Sequence, residues 1–368
     1  MASLVSRGFT SGCAMIFRVL AGARPPRPKE TKTRILCLTS AGVGDMLDTL
    51  PLFHALKRHH PQAHLTVACD PPGAPIAQAC AAVDEIIVLE PTWNSWRAAL
   101  KNAARLRNHD WVIAVKVGFD RRLALLTRIT HAALRVGFER RVDPLSAYYT
   151  DPVALSDVPN DEHQAATLLR LLKPLGIIKT TNFSIDSSLN LPDSAREFAA
   201  EIMAETPFLS SRRFMLVNFS STFRLKFHEE DFIALLRRIL GTTNILVVLV
   251  PAPSNQSEAE EIAACMASDR IFTMNRPGPL DLAALMGQAS ISLTFEDETA
   301  QLAAAVDAPA LVLCLDEPRK KGYPRGKRLV FVHAKPGEQV IPDERIWLAL
   351  QPFVASGQDG IEKKGPAF

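Results

Sequence analysis

The residue types able to do chemistry gather in four short stretches. Thr39-Ser-Ala-Gly-Val-Gly-Asp45 places an acid directly behind two glycines. Glycine lets a backbone approach a ligand closely, and N–H groups at a helix start attract anions. Asp45 has two readings there: a cap for the following helix, or a general base taking a proton from a ligand hydroxyl. Ser220-Ser-Thr-Phe-Arg-Leu-Lys226 joins three hydroxyls to Arg224 and Lys226. That composition suits phosphate oxygens, and equally a helix entry carrying solvated charges. Glu296-Asp-Glu298 sets three carboxylates together before Leu302-Ala-Ala-Ala, an acid-capped helix start or a ligand site. Lys116, Arg121 and Arg122 can present positive charge to an anionic partner, or be surface residues at a helix start.

Two familiar phosphate loops are absent. No Gly-Lys-Ser/Thr follows the first loop, and Gly42-Val-Gly44 continues into Asp45-Met-Leu47 rather than toward a third glycine. A nicotinamide-dependent oxidoreductase therefore has only Gly42 and Gly44 behind it, with no convincing acid after the second strand beyond Asp70.

Alternating elements must position these residues. Short β-rich runs at 35–38, 64–68, 85–89 and 111–115 are separated by helical patterns at 45–59, 74–81, 96–107 and 121–130. Leu47, Leu50, Leu52 and Leu56 are available for burial on the first helix. After a helix at 161–175 and a polar stretch at 176–192, a second series follows. Its strands are expected at 214–219, 244–250, 270–272, 291–294 and 310–314, with helices to 240 and at 258–266, 280–288 and 299–306. Such alternation calls for parallel sheets covered on both faces. The expected architecture is two doubly wound α/β units with ligands outside the carboxyl ends of the strands, in a cleft between the units. The boundaries read as a basic extension at 1–33, expected to be disordered, a first unit at 34–176, a second at 177–355 and a tail at 356–368.

Composition narrows the function classes. A chain of 368 residues, 47% hydrophobic and 22% charged, can bury two cores. A net charge of +3, without a zinc module or an RNA-recognition signature, argues against nucleic-acid binding. The six cysteines include no C-x-x-C pair and read as reduced, mostly buried thiols of a cytoplasmic protein. His60 and His64 have helical spacing, but Pro61 interrupts the helix a metal pair needs. No run is long enough to span a membrane. The first 34 residues carry Arg7, Arg18, Arg24, Arg27, Lys29, Lys32 and Arg34 against one acid, Glu30. A disordered arm, a short helix attracted to anionic lipid and a transit peptide all fit that pattern.

Residues 44–63, Gly44-Asp-Met-Leu-Asp-Thr-Leu-Pro followed by Leu56-Lys-Arg-His-His-Pro61, resemble the opening helix of ADP-heptose:lipopolysaccharide heptosyltransferases, glycosyltransferase family 9. Val83-Asp-Glu-Ile-Ile-Val-Leu89 and Leu134-Arg-Val-Gly-Phe-Glu-Arg-Arg141 extend the likeness, which runs more loosely to about residue 315. The resemblance implies a GT-B fold, with two Rossmann-like domains facing a central cleft. It also implies an inverting transfer without a covalent intermediate, an acceptor held mainly by the first domain and a nucleotide-sugar by the second. Asp45 matches the family's proposed base, with Ser40, Gly44, Lys116, Arg121 and Arg122 on the acceptor side. Ser220, Ser221, Thr222 and Lys226 fall in the donor loop. Glu296, Asp297 and Gln301 fall where the family's Asp-Thr/Ser-Gly-x-x-His binds the donor diphosphate, and Glu298 replaces its glycine. Three acids there would repel phosphates, with Arg319, Lys320, Lys321 and Arg325 as candidate compensating cations.

The activity implied is transfer of heptose or a related sugar, with an ADP-sugar as donor and an anionic glycolipid as acceptor. No cofactor or metal is called for. The location implied is the cytoplasm, with peripheral contact at the inner membrane. A non-catalytic relative that lost its donor site is the alternative, which the acids at 296–298 favour and Gly44-Asp45 opposes.

Overall fold

The structure is a computed structural model. It describes residues 32–89, 102, 104–140, 142–159, 161–177, 187–206, 213–219, 229–314, 324–335, 337–338 and 340–354. The chain divides into two compact units, the first running to Asn190 and the second starting at Leu191.

The first unit holds β1 (Arg34–Leu38), α1 (Val43–His59), β2 (His64–Cys69), α2 (Ala74–Gln78), β3 (Glu85–Val88), β4 (Trp111–Ala114), α3 (Arg121–Ile129), β5 (Leu134–Glu139), β6 (Asp151–Ala154) and α4 (Gln164–Leu169). Its six strands run in the order β3-β2-β1-β4-β5-β6, and every pairing is parallel. Strand order therefore reverses between β1 and β4. Loops leaving those two strands diverge to opposite faces and open a crevice, the usual ligand position in such sheets. The central strands are apolar along their length because helices cover both faces. Leu36, Cys37, Leu38, Val112 and Ile113 are fully buried, as are Leu47, Leu50, Leu52 and Leu56 of α1.

The second unit repeats the plan with α5 (Asp193–Glu205), β7 (Phe214–Phe219), α6 (Glu229–Thr242), β8 (Leu246–Pro251), α7 (Gln256–Cys265), β9 (Ile271–Thr273), α8 (Pro279–Gln288), β10 (Ile291–Phe295), α9 (Glu298–Ala305), β11 (Ala310–Cys314), β12 (Leu329–His333) and α10 (Asp343–Val354). The order β12-β11-β10-β7-β8-β9 is again wholly parallel. Its switch point lies between β7 and β10. Phe219 and Phe232 stack at 5.8 Å in a core that extends to Trp347 of α10.

Three differences from the sequence reading have physical reasons. The stretch between the two series contains β5 and β6, short strands whose Gly137 and Pro152 dilute the β signal. Gly137 is needed where it stands, since a Cβ there would sit 2.3 Å from the Tyr149 ring. The helix expected over 161–175 is α for only six residues and then 3-10, with Pro174 inside the last turns. In the second unit the alternation continues past β11 into β12 and α10. The cysteines at 37, 69, 80 and 314 are buried and Cys265 is exposed, and none of these five forms a disulfide. Among the described residues no cluster could hold a metal ion and no helix is long and apolar enough to cross a membrane.

Candidate active site

In the first unit the loop from β1 runs under the crevice and turns into α1. The helix begins at Val43, and its N-cap is Gly42, which supplies no side-chain cap. Asp45 therefore does not cap the helix. It stands in the first turn with an exposed side chain, which removes one of its two sequence readings. Gly73 fixes the loop from below: a Cβ there would lie 2.7 Å from the Ala41 carbonyl oxygen. Only glycine allows the turn after β2 to press so closely beneath the segment that carries Ser40.

Thr39, Ser40, Ala41, Asp45, Thr49, Lys116 and Gln164 contribute to the lining of a hollow of about 90 Å³ at this switch point. Lys116 follows β4, and its Nζ donates to Ser40 Oγ at 3.1 Å and to Asp120 Oδ2 at 3.1 Å. Asp120 also caps α3, its Oδ1 accepting from the backbone N–H groups of Arg122 and Leu123. One carboxylate thus anchors both the helix and the ammonium that faces the hollow. Asp45 Oδ1 accepts from Gln164 Nε2 at 2.9 Å. The hollow therefore presents a carboxylate, an ammonium, a hydroxyl and an amide, all from one unit.

Ser40, Asp45 and Lys116 are brought together by the fold. Gly44 lies one residue before Asp45 within the helix, and its side of the loop is half-buried. Arg121 and Arg122 are tied elsewhere: Arg121 Nε reaches Asp143 Oδ2 at 2.6 Å, and Arg122 grips both oxygens of Asp70. The guanidinium beside Asp143 helps hold that buried carboxyl below the usual range against the opposing effect of burial. Arg121 remains largely exposed, at 68%, and retains donors facing solvent.

Ser220, Ser221, Thr222 and Lys226 lie outside the described residues, as do Arg319, Lys320 and Lys321. Arg325 is described and exposed. At the switch point of the second unit, Asp297 caps α9 through Oδ1, which accepts from Thr299 N at 2.9 Å and from Thr294 Oγ1 at 3.2 Å. Its Oδ2 accepts from Asn218 Nδ2 at 3.0 Å. Asn218 is buried at the end of β7, and its Oδ1 accepts from Arg276 Nη1 at 2.7 Å. The other guanidinium nitrogen lies 3.4 Å from Thr299 Oγ1 and 3.5 Å from Glu298 Oε1.

Burial pushes the Asp297 carboxyl above the ordinary aspartate range, opposed by its hydrogen bonds and by Arg276. The three acids thus have different situations. Asp297 is absorbed into a capping network, Glu298 is exposed beside Arg276, and Glu296 is half-buried. Gln301 is half-buried one turn into α9, its N–H donating to the Asp297 carbonyl at 3.3 Å.

Gln164, Asn218 and Arg276 were not singled out from sequence. Asn218 had a signal: it is the one polar residue in Phe214–Phe219, a run whose every position is buried. A polar side chain in such a strand must find partners. Gln164 and Arg276 had none, because only the strand order shows which loops meet.

No family model and no curated protein matches this sequence. Solved structures do match. A family 9 glycosyltransferase from Veillonella parvula aligns with TM-score 0.75 and 18% identity, over 87% of this chain and 97% of that one. The E. coli ADP-heptose LPS heptosyltransferase II aligns at 0.69 and 14%, over 87% and 98%. An E. coli heptosyltransferase solved with ADP aligns at 0.66 and 18%, over 88% and 100%. The chain has the GT-B fold. This GT-B chain has two Rossmann-like units of the same strand order, and the coverage of 97% or more leaves few residues of the three structures without a counterpart.

Proposed function

We propose that the protein is an inverting glycosyltransferase that moves heptose or a related sugar from an ADP-sugar to an anionic cell-envelope glycolipid. The observation that carries this reading is Asp45, a carboxylate with an open oxygen at the switch point of the first unit, on a fold shared with heptosyltransferases. In this account the acceptor hydroxyl gives its proton to Asp45 as its oxygen bonds to the anomeric carbon. The bond from that carbon to the nucleotide diphosphate breaks, the diphosphate leaves with the electron pair, and the configuration inverts. Lys116, held by Ser40 and Asp120, meets negative charge on the acceptor, and Arg121 adds an exposed cation nearby in sequence.

The second unit takes the nucleotide-sugar. Arg276 supplies positive charge that the acids at 296–298 would otherwise deny the diphosphate, and the Ser220–Thr222 hydroxyls with Lys226 supply further donors. Fixed cations and backbone dipoles can neutralise a leaving diphosphate without a metal. The enzyme works in the cytoplasm, and a glycolipid acceptor places it against the inner membrane.

The test is a thermal-shift screen of the purified protein against ADP-, GDP-, UDP- and dTDP-sugars, followed by transfer of the labelled sugar to a truncated lipopolysaccharide. Stabilisation by an ADP-sugar above the others, with label in the lipid, is the expected result. If no nucleotide-sugar stabilises the protein at about millimolar concentration, equivalent to binding weaker than about −4 kcal/mol, the proposal fails.

A further inference from the structure

Asp45 stands exposed on the first turn of α1, where no packing fixes its carboxylate. Rotation about the last side-chain torsion of an aspartate is broad and roughly two-fold, so a free carboxylate exchanges its oxygens readily. Here one oxygen is held. Gln164 Nε2 donates to Asp45 Oδ1 at 2.9 Å, a contact between residues 119 apart in the chain. The donor is itself well anchored. Gln164 is the first residue of α4, whose N-cap is the buried His163, with Nδ1 accepting from Ala165 N at 3.1 Å. One residue earlier, Glu162 accepts from both Nε and Nη2 of Arg170 at 2.7 Å and from Thr167 Oγ1 at 3.1 Å. These contacts pin the turn that carries Gln164 onto its own helix.

We propose that Gln164 is a positioning residue for sugar transfer, holding Oδ1 of Asp45 so that Oδ2 is the oxygen that receives the acceptor's proton. The inference rests on Asp45 being the base. An amide suits the task. It donates at every working pH, has no proton to exchange with the base, and carries no charge. A lysine or arginine at that point would stabilise the anion more strongly and weaken it as a base. Gln164 and Lys116 both line the hollow with Asp45, so the same amide also narrows where an acceptor hydroxyl can lie. A misplacement of about 1 Å in such a constellation costs about a hundredfold in rate.

The experiment uses full-length protein, ADP-heptose and a truncated lipopolysaccharide, comparing wild type, Gln164→Ala, Gln164→Glu and Asp45→Ala, with the melting temperature of each recorded. Gln164→Ala is expected to lower kcat by about ten- to a hundredfold while both KM values stay within about twofold. Gln164→Glu keeps the shape but loses the donor. It is expected to be inactive near about pH 8 and to recover part of its activity toward about pH 6, where a proton shared by the two carboxyls restores a donor to Oδ1. A side chain with only a structural role would lower the melting temperature and leave the shape of the pH profile unchanged. Wild-type kcat in Gln164→Ala, with Asp45→Ala inactive, overturns this inference and leaves the proposed function standing. Binding of no nucleotide-sugar by any of the four proteins overturns the function and the inference with it.

Discussion

Arg276 and Asp297 show how one residue's neighbours change the meaning of a charge. Read along the chain, the acids at 296–298 form a repulsive cluster at a helix start. In the fold Asp297 faces inward and caps α9, and Arg276 is joined to it through Asn218. Two opposite substitutions separate charge from shape. Asparagine keeps the cap but sets its own Nδ2 against Asn218 Nδ2, where Oδ2 accepted, so Asp297→Asn should cost about 1–2 kcal/mol of unfolding free energy. Asp297→Ala should also lose about 1–2 kcal/mol, read by denaturant titration. Removing the carboxylate's charge should also tighten ADP binding by calorimetry, whereas Arg276→Met should weaken it by about tenfold, the loss of one charge-assisted contact. Equal ADP affinity in both variants would remove Arg276 from the donor site.

At the scale of elements, the site depends on how tightly two turns are held. The turn before α4 is tied by Glu162, whose carboxyl Arg170 holds below the usual glutamate range. A depressed folded pKa stabilises the fold fully above the unfolded value of about 4.3, and that stabilisation fades as pH falls through the folded value. Glu162→Gln should therefore lower stability at neutral pH by about 1–3 kcal/mol and flatten its dependence on the acid side of about pH 4.3, measured by urea titration. Beneath β1, Gly73→Ala would force its new methyl against the Ala41 carbonyl. The expected cost is about 1–3 kcal/mol in thermal or denaturant unfolding.

Much of this scale was legible in the sequence. The run at 35–38 is continuously apolar and that at 214–219 is so apart from Asn218, as a strand covered on both faces requires. The strands β5 and β6 were not legible, because Gly137 and Pro152 are there for close packing and an edge position rather than for β propensity. The tie between Gln164 and Asp45 was equally hidden, since nothing in a glutamine at a helix start says which loop it will meet.

At the scale of the molecule, the same doubly wound plan occurs twice, and the strand order accounts for where each unit keeps its polar residues. In the first unit Ser40 and Lys116 come from the loops after β1 and β4 and Asp45 from the first turn of α1; in the second, Asn218 comes from the end of β7 and Asp297 from the helix cap after β10. Strand order reverses at both places. Polar side chains gather there because the loops part and leave the strand ends uncovered. A fold of this kind hosts several chemistries, so the claim of sugar transfer stands on Asp45 rather than on the architecture. The measurement that bears on it most directly is the kcat for transfer from ADP-heptose to a truncated lipopolysaccharide by wild type and Asp45→Asn, which preserves the shape of the side chain and removes its basicity. The account predicts ADP affinity within about twofold of wild type and a kcat lower by about a hundredfold or more; transfer by Asp45→Asn at the wild-type rate would contradict it.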